Sequence, residues 1–140
     1  ELEQTAKLMR MLTLQLFEKL NIKVSIDECA ALDTISCNAG ICQRDLAKMI
    51  IKDRANTGRI VNSLEEKGYV KRIIDMKNNR LVKKLQITQN GTEFLKEIVN
   101  KVKSHMDGIA TTISKDEVLK VKETLKNFRL NLENVVEMKI

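Results

Sequence analysis

Arg54, Asn56, Thr57 and Arg59 lie close together, after Asp53 and just ahead of apolar residues at Ile60, Val61 and Leu64. Guanidinium forks, an amide and a hydroxyl are the side chains that hydrogen-bond base edges and phosphate oxygens when a helix end enters a major groove. Arg44 precedes this group and Asn62 follows it. Asp53 is a good N-cap, since its carboxylate can accept from the free amides of a first helical turn. Ile60, Val61 and Leu64 give that helix an apolar side, and Gly68 falls where a left-handed residue commonly ends a helix.

Two segments rich in β-formers follow the glycine, Tyr69 to Asp75 and Leu81 to Thr88. Between them, Met76-Lys77-Asn78-Asn79-Arg80 forms a polar, basic tip whose asparagines tolerate the left-handed geometry of a hairpin turn. A helix followed at once by such a ribbon reads as the recognition helix and wing of a winged helix-turn-helix. The charge supports that reading. The chain carries a net +6, but residues 43–84 hold 12 Lys or Arg against 5 Asp or Glu, while the remainder holds 13 against 14. Positive charge gathered on one segment is the footprint expected for phosphate binding.

The elements that must position this segment are legible on either side. Residues 1–20 form a helix with Leu8, Leu12, Leu16 and Leu20 four apart. Ser25-Ile26-Asp27-Glu28 is a capping box that starts a second helix, with Cys29, Ala30, Leu32 and Ile35 turned inward. Cys42 to Ile50 is a short third helix whose Ala47 suits a tight helix crossing. Beyond the wing, Thr88 caps a long helix striped by Leu95, Ile98, Val99, Val102, Met106 and Ile109. Ser114-Lys115-Asp116-Glu117 is a second capping box, opening a last helix striped by Val118, Val121, Leu125, Phe128, Leu132 and Val135. The fold class is therefore mainly α with a small β-hairpin wing: a winged helix-turn-helix over 25–90, flanked by dimerisation helices over 1–24 and 91–140. A winged helix of that size has too little core to bury those terminal stripes, so a two-fold homodimer is the economical solution.

Other chemistries find little support. There is one histidine for all acid–base work, no glycine-rich phosphate loop and no zinc spacing, so no enzyme, cofactor or metal is expected. Aromatics are 3% of the chain, which disfavours base stacking as a binding mode. The longest apolar runs are too short to cross a bilayer and no charged, apolar leader opens the chain, which implies a cytoplasmic protein with no membrane partner. Three cysteines do not suggest a disulfide framework. Cys29 reads as packing. Cys37 and Cys42 flank a short turn, with Cys42 beside Arg44, and they support an alternative reading as a thiol-based redox sensor.

Taken together, Gln43-Arg44-Asp45-Leu46-Ala47, the run from Ala55 to Arg72, the wing segment from Asp75 to Arg80 and Ile87-Thr88-Gln89-Asn90-Gly91 resemble the MarR family of bacterial transcriptional regulators. The detailed likeness spans about residues 43–91; the flanking helices agree in length and amphipathicity. The resemblance implies an obligate homodimer that binds double-stranded DNA at a palindromic operator and acts as a repressor, released by a small-molecule effector seated between the dimer helices and the winged domain. It implies that Asn56, Thr57 and Arg59 face the major groove, that Arg54 and Asn62 lie near phosphates or bases, and that Arg44 clamps the backbone. Arg72, Lys77, Asn79 and Arg80 are the corresponding DNA-facing positions of the wing. The wing departs from the family pattern: Met76 stands where proline is usual, and Asn78-Asn79-Arg80 replaces an aspartate-arginine-arginine group. Either Arg80 or Lys77 then serves the minor groove, or Arg80 pairs with Asp75. The competing reading from another class is a winged helix used for protein contact.

Overall fold

Capping at four helix starts sets the frame of the chain. In the computed structural model, which describes residues 1–109 and 112–137, the order is α1 (Leu2–Lys19), α2 (Ile26–Cys37), α3 (Gln43–Ile50), α4 (Arg54–Glu66), β1 (Val70–Lys77), β2 (Arg80–Ile87), α5 (Gln89–Met106) and α6 (Lys115–Glu133). Ser25 and Ser114 each accept from the amide three residues on, while Glu28 and Glu117 reach back to close both capping boxes. Asp53 and Thr88 cap α4 and α5 in the same way. Residues 110–111 and 138–140 of the expected C-terminal segment lie outside the described residues.

The main core is built from α2, α3, α4 and the base of the hairpin: Ala31, Leu32, Ile35, Leu46, Val61, Leu64, Val70 and Leu85. A second cluster of Phe17, Val24 and Ile98 joins α1 to α5, with Tyr69 and Phe94 against both clusters. These two rings stack with centroids 4.3 Å apart. On α2 it is Ala31 and not Ala30 that turns inward, because the buried positions 28, 31, 32 and 35 follow the helical repeat. Glu28 occupies the first of these, a charged residue where the pattern calls for an apolar one. Cys29 is half-buried in the second cluster; burial, then the nearby Asp33 carboxylate, pushes its thiol pKa up.

The hairpin is antiparallel and in register from Val70 opposite Ile87 to Lys77 opposite Arg80. Its turn is only Asn78-Asn79, both left-handed at φ 52° and 60°. That is the tight primed turn whose twist matches the strands; the strands take over the rest of the five-residue tip. At the base, the Leu85 amide donates to the Ile41 carbonyl at 2.8 Å, tying β2 to the segment ahead of α3.

Two helix ends determine how α4 is held. At its C-terminus the Tyr69 amide donates to Leu64 and the Gly68 amide to Glu65, both at 2.9 Å, with Gly68 left-handed at φ 75°. This is a Schellman end with glycine where no Cβ is tolerated cheaply. The turn from α3 into α4 uses the same device: Lys52 donates to Ala47 and Ile51 to Lys48. Here the left-handed position is Ile51, at φ 54°. An ion pair of 2.9 Å between Lys52 and Asp27 fastens this turn to the first turn of α2.

The terminal helices bury little. α1 contributes Leu16 and Phe17 to the core, and α5 buries Gly91 and Ile98. α6 buries nothing, leaving Val118, Leu119, Val121, Leu125, Phe128 and Leu132 exposed. No described helix is long and apolar enough to cross a membrane.

Candidate nucleic-acid interface

The outer face of α4 is exposed along its first turns, at Arg54, Asn56, Arg59 and Asn62. The polar groups there are chained. Asp53 accepts from the Asn56 amide at 2.8 Å and from its side-chain nitrogen at 2.5 Å, and Arg59 donates to the Asn56 oxygen at 3.2 Å. The Asn56 backbone amide, then its side chain, hold the Asp53 carboxyl below the usual carboxylate range. The carboxylate thus caps the helix and orients Asn56, which in turn steadies Arg59.

Thr57 is a correction to the expected reading set. It is fully buried, at 0% exposure, and its hydroxyl donates to the Asp53 carbonyl at 2.8 Å. With Val61 and Leu64 it forms the inner face of α4, so it packs the helix rather than facing a groove. In sequence Thr57 falls four before Val61, on the apolar stripe, and that periodicity was the available signal.

Arg44, at the start of α3, faces Arg54 across a cleft of about 480 Å³ lined also by Gln43 and Ala47. Two cations around one concavity suit a phosphate oxygen bridged from two sides. A second and larger cleft, about 770 Å³, lies between α3 and the end of α6 and is lined by Arg44, Lys48, Met49, Ile51, Arg129, Leu132, Glu133 and Val136. Arg44 therefore borders both. Gln43, quoted above within the resemblance, was given no site role from the sequence because an uncharged residue at a helix start carries no electrostatic signal.

The wing residues divide. Arg72 sits at the base, where it donates to Glu65 and, at 2.6 Å, to the Asn62 side-chain oxygen, so it braces the hairpin against α4. Asp75 takes Lys84 as its partner, not Arg80. Lys84, then the Met76 amide, hold the Asp75 carboxyl below its ordinary range. Lys77, Asn79 and Arg80 are exposed at the tip. The cysteines are free: the Cys42 thiol donates to the Asp45 carboxylate at 3.2 Å, and Cys37 lies 3.8 Å from the Ser36 hydroxyl. The polar neighbour of Cys42 is thus an anion and not the adjacent arginine.

A winged helix with this connectivity can be compared with known proteins directly. The model of the MarR family matches residues 24–82, the stretch that spans α2 to the second strand of the wing. Over those residues the winged helix is similar to that of the MarR family. A curated relative from Bacillus subtilis (strain 168), described as the uncharacterized HTH-type transcriptional regulator YybA, is 29% identical over 97 residues. That match covers 69% of this chain and 63% of the relative, so the chain spans less than two thirds of that protein's length. Among solved structures, the transcriptional regulator SlyA superposes with a TM-score of 0.78 at 23% identity, covering 95% of this chain and 94% of the other. NadR in complex with 4-hydroxyphenylacetate gives 0.77 at 20%, covering 91% and 88%. Apo MarR from E. coli gives 0.71 at 21%, covering 91% and 93%. At these identities the structures share the fold, and that shared fold takes in the terminal helices as well as the winged helix.

Proposed function

We propose that this chain is a cytoplasmic, sequence-specific DNA-binding repressor that reads a palindromic operator as a homodimer and is released by a small-molecule effector. The observation that carries the reading is the exposed, internally chained polar group Arg54, Asn56 and Arg59 at the start of α4, set across a cationic cleft from Arg44. In this reading α4 enters a major groove, Arg44 and Arg54 hold backbone phosphates, and the wing tip with Lys77, Asn79 and Arg80 reaches the adjoining minor groove. Asn62 and Arg72 act as a pair that fixes the wing relative to α4. The role is recognition and not catalysis.

Dimerisation is supported by the apolar surfaces of α1, α5 and α6, since a contiguous exposed stripe of this kind marks an interface. The domain division follows: 25–90 reads DNA, while 1–24 and 91–140 pair the two copies. The effector reading is supported by the larger cleft, whose cationic edge suits a small anion. NadR, which shares the fold, has been solved with 4-hydroxyphenylacetate. Because Arg44 borders both clefts, an anion bound to it in the larger one competes with a phosphate in the smaller. That supplies the differential affinity without which a ligand shifts no equilibrium.

The test is selection of duplexes from a random pool, repeated at two salt concentrations. A palindromic motif with half-sites about one helical turn apart, about 34–36 Å, supports the dimeric reader. With 6–10 phosphate contacts, affinity falls roughly a thousandfold or more between about 50 and 200 mM salt. Weak binding without a motif or a salt slope overturns the reading and leaves a protein-contact module.

A further inference from the structure

Alternate residues of a hairpin share a face, and the register assigns Arg72, Ile74, Met76, Leu81, Lys83 and Leu85 to one of them. At its base this face is core: Val70 and Leu85 are buried there. Farther out it leaves the body while staying apolar, with Ile74 64%, Met76 61% and Leu81 73% exposed. Met76 and Leu81 stand directly opposite each other in the last apolar pair before the turn. The side of the ribbon is fixed by Arg72, which shares this face and bonds to Asn62 and Glu65 of α4. The exposed apolar pair therefore looks toward the side on which α4 presents its polar residues.

Charge surrounds this patch. Lys83 lies on the same face opposite Ile74, and the final pair of the ribbon is Lys77 opposite Arg80. Like charges directly opposite on a hairpin repel. Among the described residues none of these three side chains has an ion-pair partner, whereas Lys84 is neutralised by Asp75. An occupant that satisfies the whole tip must bring anions to the rim and an apolar surface to the centre. A minor groove does both: phosphates form its walls, and a base step that opens offers its ring faces to an apolar side chain.

We propose that Met76 and Leu81 form an apolar wedge that enters a base step of the minor groove, partly unstacking it and bending the duplex, while Lys77, Arg80 and Lys83 hold the flanking phosphates. The inference rests on the DNA-binding reading above and adds to it a mode of sequence preference. Steps that unstack easily, pyrimidine followed by purine, are favoured at the wing position although no base edge there is read by hydrogen bonds.

The test uses the full chain and duplexes recovered by the random-pool selection, with 2-aminopurine replacing single adenines outward from each half-site. Bound wild-type protein is expected to raise the fluorescence several-fold at one step per half-site, a signal that depends on no variant. Met76→Ser/Leu81→Ser should abolish the rise and weaken binding by about tenfold, since the bend and its extra contacts are lost together, with the salt slope unchanged. Arg80→Ala should keep the rise and reduce the salt slope by about one. Both apolar residues are exposed, so the double variant should melt as wild type does. Flat fluorescence in a bound wild-type complex overturns the proposal, as does a rise that survives the double substitution. A double variant that changes oligomeric state also overturns it, by placing this face between copies of the chain. Failure to recover any binding site instead removes the DNA reading itself.

Discussion

The Lys67 ammonium lies 2.7 Å from the Glu28 carboxylate, joining the C-terminal end of α4 to the first turn of α2. Glu28 is 7% exposed, and the same oxygen accepts from the Ser63 hydroxyl while the other accepts from the Ser25 amide. One buried carboxylate thus closes a capping box and fastens α4. Its neighbour Asp27 holds Lys52 at the other end of α4, so two adjacent acids of α2 anchor both ends of α4.

Removing one partner of this pair strands the other. Lys67→Met should cost more than Glu28→Gln, because it leaves a buried charge while the lysine can turn to solvent. In urea unfolding the two substitutions should couple by about 1–2 kcal/mol, with the double variant more stable than the sum of the singles implies. Additive losses would show that the ion pair is incidental.

Acid should find the same site. Burial alone would raise the Glu28 pKa, but hydrogen bonds from Lys67, Ser63 and the Ser25 amide outweigh it, so the net shift is downward. A carboxyl held lower in the folded state than in the unfolded chain stabilises at every pH above its unfolded value. That contribution is lost as pH falls from the ordinary carboxylate range through the lowered one. The acid limb of stability against pH should therefore flatten in Glu28→Gln, as measured by urea midpoints at successive pH values.

Thr57 and Arg59 are two residues apart in α4 and should fail in different assays. Arg59→Ala should weaken operator binding by about 1–3 kcal/mol with little effect on melting. Thr57→Ala should reverse the pattern, since it removes a buried methyl and hydroxyl: about 1–2 kcal/mol of stability, with an unchanged salt slope of binding. An exposed contact role for Thr57 would appear as lost affinity at full stability.

Gly91 is buried at the start of α5, and a Cβ placed there would run into the Tyr69 carbonyl and the Ile87 side chain. Helix propensity favours alanine, but overpacking against fixed backbone costs about 1–3 kcal/mol. Gly91→Ala should therefore melt lower, and a rise in melting temperature would mean that the helix start shifts freely.

Ile51 offers the opposite case. A β-branched residue at positive φ is strained by roughly 1–2 kcal/mol relative to glycine, which occupies that region at no steric cost. The side chain is exposed, so little packing is lost with it. Ile51→Gly should raise stability by about 1 kcal/mol in a thermal melt.

Much of this molecule was legible in its sequence because the signals were local. Ser25, Asp53, Thr88 and Ser114 mark helix starts through hydrogen bonds to amides two or three residues on, and Gly68 and the asparagine pair mark turns through backbone conformation alone. The winged helix followed from those signals and the apolar repeats. What was not legible depended on distant partners or on which stripe was inward. Glu28 looked like a cap and nothing else because Ser63 and Lys67 lie 35 and 39 residues away. The bonds of Arg72 to Asn62 and Glu65 were not legible because these partners sit on the preceding helix. A pair between Arg80 and Asp75 across the turn was one of the alternatives, but the strands extend farther and Lys84 reaches Asp75 instead. Thr57 was assigned by chemistry when its position on the repeat should have decided.

The left-handed isoleucine has a mechanical consequence. Glycine would rest at that turn without strain, whereas isoleucine is held there against its own preference by the bonds from Lys52 to Ala47 and from Ile51 to Lys48. With Lys52 pinned to Asp27 one residue later, the joint is stiff on both sides. The two helices are then held as one unit on α2, against which both pack and to which the flanking residues Lys52 and Lys67 are ion-paired, so that α3 and α4 shift together rather than by refolding the turn between them.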